Sequence, residues 1–217
     1  MDVDLNLYLN KHYLLNAKRE EIVSENAPLF SLQYYLLSDS DMMLESLRQY
    51  THRMENKQHP GLYDQFPERH GNKDDYTSPD QLIAFVGALY LSKQIKKIKE
   101  IRKYLARHAF TYDNVRPGEI NKDRLMQPAA IWFTAVASGR WWYRPALSGA
   151  IIYSCATKKG ETSGKLKAWT MARTLRMKYT LKLCTRVLSG FNSWRDVFRT
   201  YYQEPAHPNR VLADKLR

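Results

Sequence analysis

Residues 55–80 gather His59, Asp64, Glu68, His70, Asp74, Asp75 and Asp80 in one polar stretch. Imidazoles and carboxylates at this density suit two kinds of chemistry: proton transfer as general acid and base, or capture of a divalent cation. The spacing speaks against the cation. It contains no HExxH, no EF-hand periodicity and no Cys/His ligand set, so neither a metal nor a cofactor is expected. Acid–base work then rests on His59, Asp64, His70, Asp74, Asp75 and Asp80, while loop solvation and helix capping are the plainer use of the same residues. A second His-Pro pair, His207-Pro208, echoes His59-Pro60 near the C-terminus and would suit a site shared by the two histidines.

A second group is cationic: Lys158, Lys159, Lys165, Lys167, Arg173, Arg176 and Lys178, continued by Lys182 and Arg186. At 3.6 residues per turn its helical members spread over more than half of the circumference. That distribution suits phosphates, which need charge density, better than base edges, which need register. The KKGETSGK segment inside it is not a phosphate-binding P-loop: three residues separate Gly160 from Gly164 where that motif needs four, and Leu166 follows Lys165 in place of Ser or Thr. Charge across the chain is lopsided. Residues 1–90 carry 8 Lys/Arg against 14 Asp/Glu, a net of −6, and residues 91–217 carry 26 against 8, a net of +18. A basic half of this kind points to nucleic acid or another polyanion as partner.

The elements that must position these groups read as helices. Ser40 opens a helix over 40–54 with Met43, Leu47, Tyr50 and Met54 on one stripe. Ser78-Pro79-Asp80-Gln81 is a helix start in which serine caps, proline takes the first turn and glutamine returns a bond to the cap. Leu82, Phe85, Val86 and Leu89 follow as its buried stripe. Residues 93–108 place Ile95, Ile98, Ile101 and Leu105 inward and a dense basic face outward. Residues 122–138 and 141–157 form a helical hairpin turned at Gly139. One long helix is expected over 163–189, ending at Gly190, and a last one over 193–203 capped by Asn192 or Ser193. The expected core contains Leu82, Phe85, Leu89, Ile131, Phe133, Ile151, Ile152, Trp169, Leu175, Trp194 and Phe198. No run alternates with period two for long enough to make a strand. The reading is therefore all-α: a single domain, 1–217, of about 7–9 helices packed as hairpins, with a long polar loop over 55–78.

Integral membrane insertion is not expected. The longest charge-free run of the hairpin, Leu125 to Gly139, is about 15 residues, short of the roughly 20 that cross a bilayer, although Trp141, Trp142 and Tyr143 beside Arg140 and Arg144 would suit an interface. Cys155 and Cys184 fall inside apolar patterns and read as buried free thiols of a reducing compartment. The N-terminal MDVDLNLYLNKHYLL lacks a basic n-region, so secretion by a signal peptide is not expected.

Three stretches around the apolar hairpin, SPDQLIAFVGALY, TSGKLKAWTMAR and SWRDVFRTYYQEPAHPNRVL, resemble a group of uncharacterised proteins encoded by tailed bacteriophages, over about residues 60–212. The resemblance implies a viral origin, location in the host cytoplasm or the virion, and other virion proteins as further partners; it brings no activity with it. Helical hairpins joined by polar loops are also similar to (α/α)-toroid carbohydrate enzymes, which have more helices than this chain holds. Fold likeness does not fix function. The expectation is a non-enzymatic virion-associated or accessory protein that binds nucleic acid or another polyanion through its basic half. The alternative is a small glycan-active enzyme that uses the 55–80 loop.

Overall fold

The computed structural model describes residues 27–64, 77–112, 126–157 and 162–216. Ten α-helices make up most of them: α1 (Ala27–Ser38), α2 (Asp41–Arg53), α3 (Pro79–Leu91), α4 (Ile95–Arg107), α5 (Pro128–Ala137), α6 (Arg144–Ala156), α7 (Thr162–Thr174), α8 (Lys178–Val187), α9 (Trp194–Tyr201) and α10 (Pro208–Ala213). A 3-10 turn, Trp141–Tyr143, precedes α6. An isolated antiparallel bridge joins Glu55 and Tyr63, and no described segment forms a strand. The fold is all-α, and successive helices pack as hairpins: α1 on α2, α3 on α4, α5 on α6, α7 on α8, α9 on α10.

A helix that is apolar on every side has to be surrounded, and α3 is that helix. Every residue from Gln81 to Leu89 is buried, with α1, α2, α4, α5 and α7 around it. Its start is built as the sequence predicts. The Ser78 hydroxyl accepts from the Gln81 amide at 3.3 Å, and the Gln81 side chain accepts from the Ser78 amide at 3.0 Å. At Gly87 an added Cβ would lie 2.5 Å from Leu32 Cδ2, so α1 and α3 approach closely there and a side chain at this position would have to displace Leu32. Ser40 caps α2, whose Met43, Leu47 and Tyr50 are buried, as is Met54 just beyond it. Ser193 caps α9. Nine of the eleven expected core residues are buried, whereas Ile131 and Ile152 are half covered, each beside the buried line of its helix.

The C-terminal helices are locked on by a polar network rather than by apolar packing alone. Gln33 of α1 donates to Thr170 of α7 at 3.0 Å and accepts from the Tyr202 hydroxyl; Asn209 donates to Tyr202 at 3.0 Å and to the Phe30 carbonyl at 3.1 Å. The His207 ring stacks on Tyr202 at 3.9 Å. Buried polar groups that satisfy one another in this way fix one arrangement of the helices. Cys155 of α6 and Cys184 of α8 are buried and reduced. They hydrogen-bond to each other, and that bond together with burial pushes the Cys155 thiol well up.

Several expectations change: the helix expected over 122–138 starts only at Pro128, and α10 follows the helix expected to be the last. The long helix over 163–189 is broken: α7 ends at Thr174, Arg176 takes a left-handed conformation (φ 53°), and α8 starts afresh at Lys178. The polar loop also begins as ordered structure. The Asn56 amide donates to the Leu62 carbonyl at 3.0 Å and the Asp64 amide to the Met54 carbonyl at 2.7 Å. Leu62 and Tyr63 are buried. Gly61 (φ 93°) lies against α4, where a Cβ would come within 2.4 Å of the Glu100 carbonyl oxygen. Tyr112 donates to the Gly61 carbonyl at 2.8 Å.

Candidate functional site

The acid–base candidates sit in three different surroundings. His59 is exposed at the tip of the 55–64 turn. Asp64 is buried and accepts from the Asn56 amide group at 3.2 Å; Asn56 in turn accepts from the Gln58 and His59 amides, so this set shapes the turn. Asp80, in the first turn of α3, forms an ion pair with Lys167 of α7 at 2.7 Å, with both side chains largely covered. His70, Asp74 and Asp75 lie outside the described residues, as does Glu68. His207 caps α10 and is buried against Tyr202 and Phe30, an environment unlike that of exposed His59. Among the described residues no group of three or more His, Cys, Asp or Glu side chains could hold a metal ion.

The cationic candidates divide more sharply. Lys165 is only 1 % exposed. Its ammonium donates to the Ser154 carbonyl at 3.2 Å and the Thr157 carbonyl at 2.9 Å, closing the C-terminus of α6. This corrects its place among the exposed cations, because a buried ammonium that satisfies helix-end carbonyls is not offered to a ligand. Lys167 is committed to Asp80 in the same way. Lys158 and Lys159 lie outside the described residues. Arg173, Arg176 and Lys178 are exposed at the α7–α8 turn.

Those three do not stand alone. A groove of about 700 Å³ opens beside them, lined by Trp141, Trp142, Arg144, Pro145 and Ser148 on one side and by Arg176, Met177, Lys178, Tyr179 and Thr180 on the other. Two turns of the same design build it. At the end of α5, Gly139 (φ 98°) donates to the Val136 carbonyl at 3.0 Å and Arg140 donates to Ala135 at 2.9 Å. At the end of α7, Arg176 donates to Arg173 at 3.1 Å and Met177 donates to Ala172 at 2.8 Å. Both are Schellman turns, one with glycine and one with arginine in the left-handed position. Each swings the chain round, so that the first turns of α6 and α8 come to line one groove. The Ser148 and Thr180 hydroxyls, 3.1 Å apart, join the two helices there.

The electrostatics of this groove are one-sided. Neither α6 nor α8 has a side-chain cap or an acidic residue in its first turn. No side chain therefore neutralises the partial positive charge of either helix start, although the Arg144 amide is bonded to the Trp141 carbonyl, the Lys178 amide to the Arg176 carbonyl, and Pro145 has no N–H. Arg144, Arg176 and Lys178 add full charges, and Arg140 stands at the rim with its guanidinium 4.8 Å from the Trp142 ring centre. Arg144 also reaches the Leu175 carbonyl at 3.5 Å. Among the described residues the groove lining contains no carboxylate. A smaller recess of about 280 Å³ on the far side of Arg176 and Lys178 adds Arg173 and one acid, Asp39. Around the groove, large rings face solvent: Trp141 is 72 % exposed and Tyr179 74 %, with Trp142 and Tyr143 also exposed.

Arg140, Arg144 and Tyr179 were not among the cationic or aromatic residues that sequence reasoning set beside the lysines of α7. A signal was present: residues 124–195 contain 13 Lys/Arg and a single acidic residue, Glu161. A rival basic surface exists on α4, where Lys96, Lys99, Lys103 and Arg107 recur at spacings of three and four and are exposed. That stripe runs along a single helix and has Lys97 beside it paired with Glu55. No described helix is long and apolar enough to cross a membrane. Comparison with protein-family models, curated proteins and solved structures finds no match for this chain.

Proposed function

We propose that this protein binds a polyanion, with nucleic acid as the ligand, through the groove between the starts of α6 and α8. The observation that carries the reading is the convergence of two helix starts, neither with an acidic residue in its first turn, with Arg144, Arg176 and Lys178 in a groove that has no carboxylate among the described residues. Phosphates are stabilised at such a place by two sources at once: helix dipoles and full cations. The role is binding rather than catalysis. Asp64 and Asp80, the described carboxylates of the acid–base set, are held by Asn56 and Lys167, and this supports a structural use for them. A virion-associated or accessory role in a phage rests on the sequence resemblance.

Anisotropy titrations of a labelled oligonucleotide at about 50 mM salt, where phosphate contacts are strongest, test the reading. The triple variant Arg144→Gln/Arg176→Gln/Lys178→Gln is expected to bind much more weakly than wild type. Lys96→Gln/Lys99→Gln/Lys103→Gln, which removes equal charge from α4, is expected to stay close to wild type. Absence of binding to DNA, RNA and heparin alike would overturn the proposal, and a loss confined to the α4 variant would move the site.

A further inference from the structure

Resting on that polyanion reading, we infer that the groove takes single-stranded nucleic acid, with an unpaired base stacked on Trp141. The cations alone would serve any polyanion; the rings beside them narrow the choice. Large apolar rings left in solvent at one place mark a contact surface, and here they border the cavity that holds Arg144, Arg176 and Lys178. A duplex offers phosphates but keeps its base faces covered by neighbouring pairs. A single strand offers both the charge and the ring face, and proteins that hold it combine a basic groove with aromatic platforms.

The arrangement of the rings picks out Trp141. Trp142 has the Arg140 guanidinium 4.8 Å from its ring centre and Tyr143 tilted against it at 6.3 Å. Trp141 meets Trp142 edge-on, at 81° and 6.2 Å, and is the more exposed of the two indoles. Its position on a 3-10 turn anchored by the Gly139 Schellman motif fixes the ring's base without covering its face. A groove of about 700 Å³ lies within the roughly 300–1,000 Å³ typical of small-molecule sites, room for a base with its sugar-phosphate. A bilayer surface also favours Trp, Tyr and Arg. Here, however, Arg144, Arg176 and Lys178 line an open groove between two helices rather than one flat face.

The test uses the whole protein and follows both anisotropy and intrinsic tryptophan emission. Four probes are compared: a dT oligomer of about 12 nucleotides, an abasic deoxyribose-phosphate oligomer of equal length, a duplex of equal length, and vesicles containing phosphatidylserine. The dT oligomer is expected to quench emission and to bind more tightly than the abasic one, by about 5-fold to about 100-fold. Trp141→Ala is expected to erase that preference while keeping abasic binding, and Trp141→Phe to retain most of it. Equal binding of dT and abasic oligomers, unchanged by Trp141→Ala, would overturn stacking and leave polyanion binding standing. Preference for the duplex, or binding to vesicles with none to dT, would overturn the inference. Failure of every probe would remove the polyanion reading with it.

Discussion

Lys165 and Lys167 show how two lysines, two positions apart on one helix, end in unrelated roles. The direction of the side chain decides. Lys165 points into the junction of α6 and α7, where two carbonyls await a donor; Lys167 reaches sideways to Asp80 at the start of α3. Neither fate was legible in the sequence, because the acceptors of Lys165 are backbone oxygens and Asp80 is 87 residues away. Lys165→Met should leave two helix-end carbonyls unsatisfied and cost about 1–3 kcal/mol of unfolding free energy, with polyanion affinity per folded molecule unchanged. Urea unfolding and anisotropy on the same variant check both halves; full stability together with weakened binding would put the ammonium in solvent. For the other pair, a double-mutant cycle with Asp80→Asn and Lys167→Met should give a coupling of about 1 kcal/mol or more, since both groups are largely covered and charge-assisted hydrogen bonds exceed exposed ones. Strict additivity would mean that Asp80 is free for another role.

At the scale of elements, the turns decide where the groove opens. Local chemistry made several of them legible: the Ser78–Gln81 capping box, the Ser40 and Ser193 caps and the Gly139 turn all form as their residue types predict. The α7–α8 break was not legible, because it puts arginine where the left-handed position calls for glycine, and no proline follows. A non-glycine residue in that conformation costs about 1–2 kcal/mol, and such strain is often kept where a side chain has a use. Lys93, at the α3–α4 turn, carries the same strain (φ 60°) away from the groove. Arg176→Gly and Lys93→Gly should therefore each stabilise the fold by up to about 1 kcal/mol, measured by thermal or urea unfolding. Only Arg176→Gly should weaken polyanion binding. Equal binding losses from both would show that net charge alone matters and that the groove has no special part.

At the scale of the whole molecule, charge is divided along the sequence. The −6 and +18 halves raise a polyanion as partner without locating a site for it, since a charge count does not distinguish a stripe along one helix, such as that of α4, from a groove between two. The helix phases place the buried faces, whereas the groove depends on how two turns distant in sequence meet in space, and the indoles of its rim read in the sequence as suited to a membrane interface rather than to a groove. The central claim is that Arg140, Arg144, Arg176 and Lys178 act together on phosphates. Its most direct test is the dependence of affinity for a single-stranded oligonucleotide on salt concentration, measured for wild type and for the variant with all four replaced by glutamine. Each lost phosphate contact should lower the slope of log K against log salt by about 0.7, so the variant's slope should be shallower by at least that amount. An unchanged slope in the variant, or a wild-type affinity indifferent to salt, would contradict the account.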